Sequence, residues 1–297
     1  MSRKRYAVAF LAGHGIGPEV TAEASRAVAA VSHLHGFLVD EHHVHFGTDA
    51  LMRFGHPYPT SSRRAVLGSD AVLVGPGGEP LDSLEAELDV RATVTRIRFD
   101  DRRELSVLSP VEDGAWSWTL ERAVGLAAES RARVTLVGVD DVWAADIAGT
   151  ARDGIVVERL RTSEALRSLV FAPEHFDVVV CPPELGLAAS ELAACASRRR
   201  VAAWGRLAGT GPSLFGGGLD PQHDVAGHGV ADPTPMLLAA ALMLSEGLGE
   251  RAAAATLSSA LGRTAFPAPT PSTRGLGDAV LAELPQALGL EFVREAV

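Results

Sequence analysis

The stretch that decides the fold is LAGHGIGPEV, residues 11–20. An apolar segment, Tyr6–Leu11, predicts a buried strand, and a helical pattern with proline in its first turn runs from Pro18 to about Leu34. Glycines between a strand and a helix let the backbone approach a ligand, and a helix N-terminus favours an anion. The third glycine of the dinucleotide fingerprint is absent, because Pro18 stands there, so a simple tight turn is an equally good interpretation.

Strands and helices alternate along most of the chain. A predicted strand at 37–46 and a short helix near 61–67 precede an apolar strand, Asp70–Val74, which ends in the glycine-rich turn 75–78. Further helices are predicted at 121–130, 164–171, 187–197 and 235–248, and further strands at 134–137 and 176–181. This alternation indicates an α/β fold with a mostly parallel sheet covered by helices on both faces. Residues 209–235 predict a long loop.

Composition excludes several classes of function. The chain has 297 residues, of which 47% are hydrophobic, enough for one large domain or two ordinary ones. The net charge of −10 is unfavourable for binding nucleic acid or an anionic membrane. Lys4 is the only lysine, so every other member of the 27 basic residues is arginine. A mechanism that needs a lysine in the body of the chain is therefore excluded.

The cysteines and the apolar segments predict a cytoplasmic location. Cys181 and Cys195 cannot form a disulfide framework, so a reducing compartment is expected. The N-terminal apolar stretch ends in glycines without a small-residue cleavage site and predicts a strand rather than a signal peptide. The longest apolar run, Met236–Leu244, is far shorter than the ~20 residues that a membrane span needs and predicts a buried helix.

Two further patterns have both a chemical and a structural interpretation. In EHHVH, residues 41–45, His43 and His45 would share one face of a strand and could bind a metal. No second ligand cluster has a recognised spacing, so a half-exposed strand is the preferred interpretation and no metal site is predicted. Cys181 ends an apolar strand, but no base is indicated nearby, which favours a small buried hydrophobe over a nucleophile.

Three segments carry a family resemblance. They are LAGHGIGPEV (11–20), FGTDALMRFGHPYPTSSRRAVLGSDAVLVGPGG (46–78) and LFGGGLDPQHDVAGHGVADP (214–233). They resemble, in order, segments of the isocitrate/isopropylmalate dehydrogenase family of metal-dependent, β-decarboxylating NAD(P) dehydrogenases, and are most similar to its isopropylmalate dehydrogenases. His14 stands where the family has an aspartate.

The resemblance implies a two-domain α/β fold. The first, cofactor-side domain would comprise residues 1–98 plus 207–297, and the second, dimerisation-side domain residues 99–206. The resemblance places the active-site cleft between them and implies a homodimer.

The resemblance also implies that the chemical groups of the family are replaced. Family members bind substrate carboxylates with three arginines and use a tyrosine and a lysine as acid and base. The corresponding positions hold Glu85, Thr95, Ser109, Trp116 and Val139, with Asp141 at the neighbouring asparagine. Without the tyrosine and the lysine, the acid–base pair of the family is missing.

The metal positions are replaced as well. Three aspartates hold Mg²⁺ or Mn²⁺ in the family, and their places hold Ser163, Leu187 and Glu191. A hard divalent ion needs several oxygen ligands, so we expect no bound magnesium. Without the metal, the carbonyl of a β-keto acid is not polarised and decarboxylation lacks its electron sink.

The cofactor positions are partly kept. Gly13 and Gly15 in the first turn, together with Asp224, Gly227 and Asp232 in the second loop, are the candidate cofactor contacts. The adenine-side histidine and asparagine of the family are replaced by Leu219 and Asp232. We therefore expect weak NAD binding or none.

Three functions remain open at the level of sequence. One is a repurposed, metal-independent enzyme of bacterial specialised metabolism that binds a small molecule in the old cleft. The second is a non-catalytic pseudoenzyme or regulatory partner, and the third an ordinary NAD-dependent decarboxylating dehydrogenase. For the first, the candidate catalytic residues are Asp141 as general base, with Glu184, Glu191, Trp116, Ser109 and Ser163.

Overall fold

The structure is a computed structural model that describes residues 3–78, 81–99, 103–138, 154–196, 201–218, 220–264 and 272–288. Its internal contacts divide the chain into two compact units, Met1–Asp89 with Thr210–Val297, and Val90–Gly209. The domain boundaries implied by the resemblance lie at 98/99 and 206/207. The observed divisions keep the full length of two antiparallel partner strands, Val90–Arg98 and Val201–Ala208, within the second unit.

Strands and helices alternate through the described residues. The strands are β1 Arg5–Leu11, β2 Leu38–His43, β3 Ala71–Val74, β4 Val90–Arg98, β5 Glu104–Pro110, β6 Arg133–Val137, β7 Val156–Leu160, β8 Val178–Val180, β9 Val201–Ala208 and β10 Ser213–Gly216. The helices are α1 Gly17–His35, α2 Gly47–Phe54, α3 Thr60–Leu67, α4 Asp82–Glu85, α5 Trp116–Ala128, α6 Thr162–Phe171, α7 Pro183–Ala196, α8 Thr234–Leu242, α9 Arg251–Arg263 and α10 Thr273–Ala287. None of these helices has both the length and the apolar composition to cross a membrane.

The first unit contains a parallel sheet with strand order β2-β1-β3-β10. All four residues of β3 are buried, as a parallel strand covered on both faces requires. The apolar run from Met236 to Leu244 forms α8 and the start of a π-helical turn, Met243–Gly247, and is fully buried. The predicted α/β fold, with its mostly parallel sheet and its buried helix, is confirmed.

The second unit has strand order β9-β4-β5-β8-β6-β7. β4 pairs antiparallel with both β5 and β9, whereas β5, β8, β6 and β7 pair in parallel. Its core packs Ile97, Leu105, Val179 and Cys181 against Leu169 of α6. The charged Arg96 and Arg98 also lie mostly buried on β4.

Two predicted elements differ from the structure. Residues 209–235 are not one continuous loop, because Ser213–Gly216 forms β10, paired in parallel with β3. The predicted strand at 37–46 ends at His43, so His45 does not share a strand face with it. His45 instead lies before α2, with its Nδ1 2.5 Å from Oδ2 of Asp49.

The buried carboxylate of Asp177 joins the chain before β8 to the turn that leads into β6. Asp177 is 2% exposed and accepts hydrogen bonds from Ser130 Oγ at 2.6 Å, Arg131 N at 3.0 Å and Arg133 N at 3.2 Å. These donors lie between α5 and β6, and Asp177 lies just before β8. The carboxylate therefore fixes the start of both strands.

We expect Asp177→Ala to lower the free energy of unfolding by about 3 kcal/mol, because three donors lose a charged acceptor. Urea unfolding followed by circular dichroism measures this change. Asp177→Asn is the matched control: its carbonyl oxygen can accept the two backbone bonds and its amide can donate to Ser130, so its loss should be smaller. Equal losses for both variants would contradict this account.

Candidate functional site

The glycine-rich turn after β1 packs directly on the turn after β3. His14 N donates to the carbonyl oxygen of Pro76 at 3.1 Å. Gly13 has a φ of 73°, and a Cβ built there would lie 2.1 Å from the same carbonyl oxygen. Only glycine fits so close to the neighbouring backbone. The two turns thus form one rigid surface at the carboxyl ends of β1 and β3.

The histidine that replaces the family's aspartate is stacked on a second histidine. The rings of His14 and His223 lie 5.0 Å apart with an interplanar angle of 12°. Nδ1 of His14 is buried without a hydrogen-bond partner, and a Cβ on Gly77 would lie 2.8 Å from it. Gly77 therefore leaves room for the imidazole ring.

The segment 220–233 is anchored at both ends. Near its start, Ile16 N donates to the carbonyl oxygen of Pro221 at 2.9 Å. Near its end, Thr273 at the start of α10 donates from N to Gly229 O at 2.8 Å and from Oγ1 to Ala231 O at 2.7 Å. The segment is therefore joined to the glycine turn of β1 near its start and to α10 near its end.

The predicted cofactor residues of this segment have mixed surroundings. Asp224 and Gly227 are exposed, and Gly227 has a φ of 78° with open space around it. Oδ1 of Asp232 accepts from Thr234 N at 2.8 Å and from Thr234 Oγ1, so its carboxylate caps the first turn of α8. Leu219 lies outside the described residues.

These residues do not fit the adenine side of a dinucleotide. The resemblance requires an amide and an imidazole there. The chain instead has a carboxylate already engaged in a helix cap and a leucine. Neither can donate a hydrogen bond to a base.

At the position of the third substrate arginine, Ser109 is closed off by a helix. Ser109 lies on β5, is 2% exposed, and its Oγ is 3.3 Å from Sγ of Cys181. Gly186, in the first turn of α7, packs over it so closely that a Cβ on that glycine would lie 2.3 Å from Ser109 Oγ. A longer side chain has no space at this position, and no substrate group can reach the hydroxyl.

Cys181 is not an activated nucleophile. Burial raises the pKa of its thiol to about 11, although the hydrogen bond with Ser109 opposes the rise. The thiolate is the reactive form, so this thiol is inert at neutral pH. The structural interpretation of Cys181 as a small buried hydrophobe is the better one.

The residues at the implied metal positions do not fit a divalent ion. Ser163 is exposed in the first turn of α6, and Glu191 is exposed on α7. Leu187, one turn before Glu191, is 75% exposed and brings no ligand atom. Among the described residues, no group of three or more histidine, cysteine, aspartate or glutamate side chains could hold a metal ion. One carboxylate and one hydroxyl are too few for Mg²⁺ or Mn²⁺.

The remaining candidate residues lie on several elements of the two units. Trp116, at the acid tyrosine position, begins α5 and is 4% exposed, and Glu184 is exposed in the first turn of α7. Glu85 lies on α4 and Thr95 on β4. Asp141 and Val139 lie outside the described residues. The role of Asp141 as a general base stays a prediction.

The first unit contains a cavity of about 480 Å³ that no sequence pattern predicted. It lies where β1 and β2 end, beside the first turns of α1 and α2. It is lined by Phe10, Ala12, Gly13, His14, Gly15, Pro18, His43, Val44, His45, Phe46, Asp49 and Arg53. The available signal was the EHHVH segment, which contributes three lining residues although it does not form a metal site.

Comparison with known proteins shows which family this chain is similar to. The family model for isocitrate/isopropylmalate dehydrogenase matches residues 7–101. The 3-isopropylmalate dehydrogenase of Salinibacter ruber is 31% identical over 84% of this chain and 85% of its own length. That of Wolinella succinogenes is 27% identical over 88% of this chain and 89% of its own.

Solved structures agree with this comparison in fold. The apo form of a β-decarboxylating dehydrogenase from Thermococcus kodakarensis aligns with a TM-score of 0.82 and 22% identity, covering 98% of this chain and all of that one. The isocitrate dehydrogenase of Methylococcus capsulatus aligns with a TM-score of 0.74 and 20% identity, covering 94% of this chain and 99% of that one. Because the Salinibacter ruber relative is 31% identical over 84% of this chain, the chain belongs to the isocitrate/isopropylmalate dehydrogenase family.

Proposed function

We propose that this protein is a divergent family member that does not catalyse metal-dependent oxidative decarboxylation. The observation that carries the proposal is the packing of Gly186 on Ser109, which leaves no room for a substrate-binding arginine or a substrate carboxylate at that position. The donor set at Ser163, Leu187 and Glu191 supports it independently, because it is too poor for a divalent ion.

The lost groups act on different parts of the reaction. The arginines bind the negative charge of the substrate, the metal polarises the carbonyl, and the acid–base pair moves protons. A single substitution could be compensated by its neighbours. Replacement at all three kinds of position removes binding, polarisation and proton transfer together, so ordinary turnover should be absent rather than slow.

In place of that activity, we propose that the protein binds a small molecule without a metal, as a pseudoenzyme does. In the part of the chain that the structure describes, the candidate catalytic side chains are either buried, as Ser109 and Trp116 are, or exposed, as Glu184 and Glu191 are. Neither environment matches a general base in an enclosed pocket.

A repurposed metal-independent enzyme is the second candidate. Asp141 favours it, because this carboxylate stands beside the position of the family's lysine. If that enzyme exists, Asp141→Asn should remove activity on its substrate. Full activity of Asp141→Asn would contradict the assignment of Asp141 as the base.

NADH formation tests the main proposal. We expect no absorbance change above the protein-free background when the full chain is mixed with Mg²⁺ or Mn²⁺, NAD⁺ or NADP⁺, and 3-isopropylmalate or isocitrate. The Salinibacter ruber relative, assayed in parallel, is the positive control. Metal-dependent NADH or NADPH formation by this chain with either substrate would overturn the proposal.

Calorimetric titration with NAD⁺ checks the cofactor separately. We expect no saturation up to about 1 mM, a limit that corresponds to about 4 kcal/mol of binding free energy. Tight NAD⁺ binding without turnover would indicate that the cofactor site is kept and that activity is absent because of the substrate and metal positions alone.

A further inference from the structure

The cavity between β1, β2 and α2 has the size and the position of a ligand site. At about 480 Å³, it falls within the usual range for small-molecule pockets. It opens where two neighbouring parallel strands end, which is the edge of the sheet where α/β proteins bind ligands. All its lining residues belong to the first unit.

Arg53 supplies permanent hydrogen-bond donors to this cavity, whereas each imidazole that lines it can both donate and accept. Asp49 is its only lining carboxylate, and both oxygens are engaged: Oδ1 accepts from Arg53 Nε at 2.7 Å and Oδ2 lies 2.5 Å from His45 Nδ1. The hydrogen bond from Arg53, helped by His45, holds the pKa of Asp49 below its usual range. The terminal nitrogens of Arg53 make no side-chain bond within the described residues, so they remain available as donors.

Part of the cavity lining is apolar. Val44 and Pro18 are its accessible apolar residues, and Phe10 and Phe46 lie buried behind the surface. The ring of His43 covers that of Phe10, with their centroids 5.5 Å apart at an interplanar angle of 30°. Such a lining accepts a flat apolar group beside the imidazoles.

We propose that this cavity binds a small aromatic anion, with its acidic group on Arg53 and the imidazoles and its ring against Val44 and Pro18. The lining supplies donors and lacks free carboxylate acceptors, so the ligand must bring the acceptor atoms. The acidic group is a carboxylate or a phosphate. The inference uses none of the positions discussed for substrate or metal, and it shares only Gly13 and Gly15 with the candidate cofactor contacts.

Three probes test the proposal. Benzoate and phenyl phosphate carry the two acidic groups on one ring, and benzamide is the uncharged control of the same shape. In calorimetric and ligand-observed NMR titrations of the full chain, we expect saturable binding of at least one anion with a Kd of about 1 mM or below. Benzamide should bind at least about 5-fold more weakly.

Two variants locate the binding. Arg53→Gln should weaken binding of the anion about 5-fold or more, since it removes a charge-assisted hydrogen bond. Arg64→Gln is the matched control, because Arg64 is an exposed arginine of the same unit on α3 that does not line the cavity. Arg53 is 60% exposed, so its replacement should leave the thermal unfolding temperature unchanged.

No saturable binding of either anion, equal affinity for benzamide, or unchanged affinity of Arg53→Gln would each overturn the proposal.

Discussion

Ser109→Arg should prevent the second unit from folding, although the resemblance places an arginine of the family at this position. The side chain would have to enter the space between β5 and the first turn of α7, where Gly186 already approaches Ser109 Oγ. It would also bury a guanidinium beside Cys181, which is fully buried. Overpacking and a buried unpaired charge together should cost more than about 4 kcal/mol, a large part of the stability of an ordinary domain.

Soluble yield and cooperative thermal unfolding measure this effect. Ser109→Ala is the matched control, because it keeps the close packing and loses only the contact with the Cys181 thiol. We expect Ser109→Ala to stay within about 1 kcal/mol of the native chain. A soluble Ser109→Arg protein with a native unfolding temperature would show that α7 does not close this position.

Gly15→Ala should be among the most damaging single-methyl changes in the first unit. Gly15 has a φ of 63°, which alanine rarely adopts, and a Cβ there would lie 2.0 Å from the carbonyl oxygen of Pro221. This atom belongs to the backbone of the segment 220–233, which is anchored to the same turn, so it cannot move aside alone. We expect a loss of about 3 kcal/mol or more in the free energy of unfolding.

Gly36→Ala isolates the steric part of that loss. Gly36 ends α1 with a φ of 77°, but a Cβ there would meet nothing within 4 Å. It should therefore cost only about 1 kcal/mol, the conformational part. Urea unfolding of the two variants gives the difference, and equal losses would show that the segment 220–233 does not pack on Gly15 as described.

Local pattern was enough to predict three of the four parallel strands of the first unit. Tyr6–Leu11 and Asp70–Val74 are apolar segments next to glycine turns, and they form β1 and β3 within one residue of the predicted limits. β10 was missed because its four residues, Ser213–Gly216, lie among glycines and prolines that suggest a loop. Its strand conformation depends on pairing with β3, a contact between residues distant in sequence.

The site was less predictable than the fold. Alignment of motifs identified Ser109 and Leu187 as replacements, but it could not show that one is buried and the other 75% exposed. It also could not identify the cavity at Arg53, because its lining combines β1, β2 and α2 through tertiary packing. The histidines of EHHVH were noticed as a cluster, and their actual partners, Asp49 and Glu41, became visible only in the structure.

The contact between Gly186 and Ser109 has a consequence for engineering of the second unit. A variant with a longer side chain at position 109 would have to move α7 away from β5, so it would need a second, coordinated change in α7. Redesign of this face should therefore begin from α7 and not from β5.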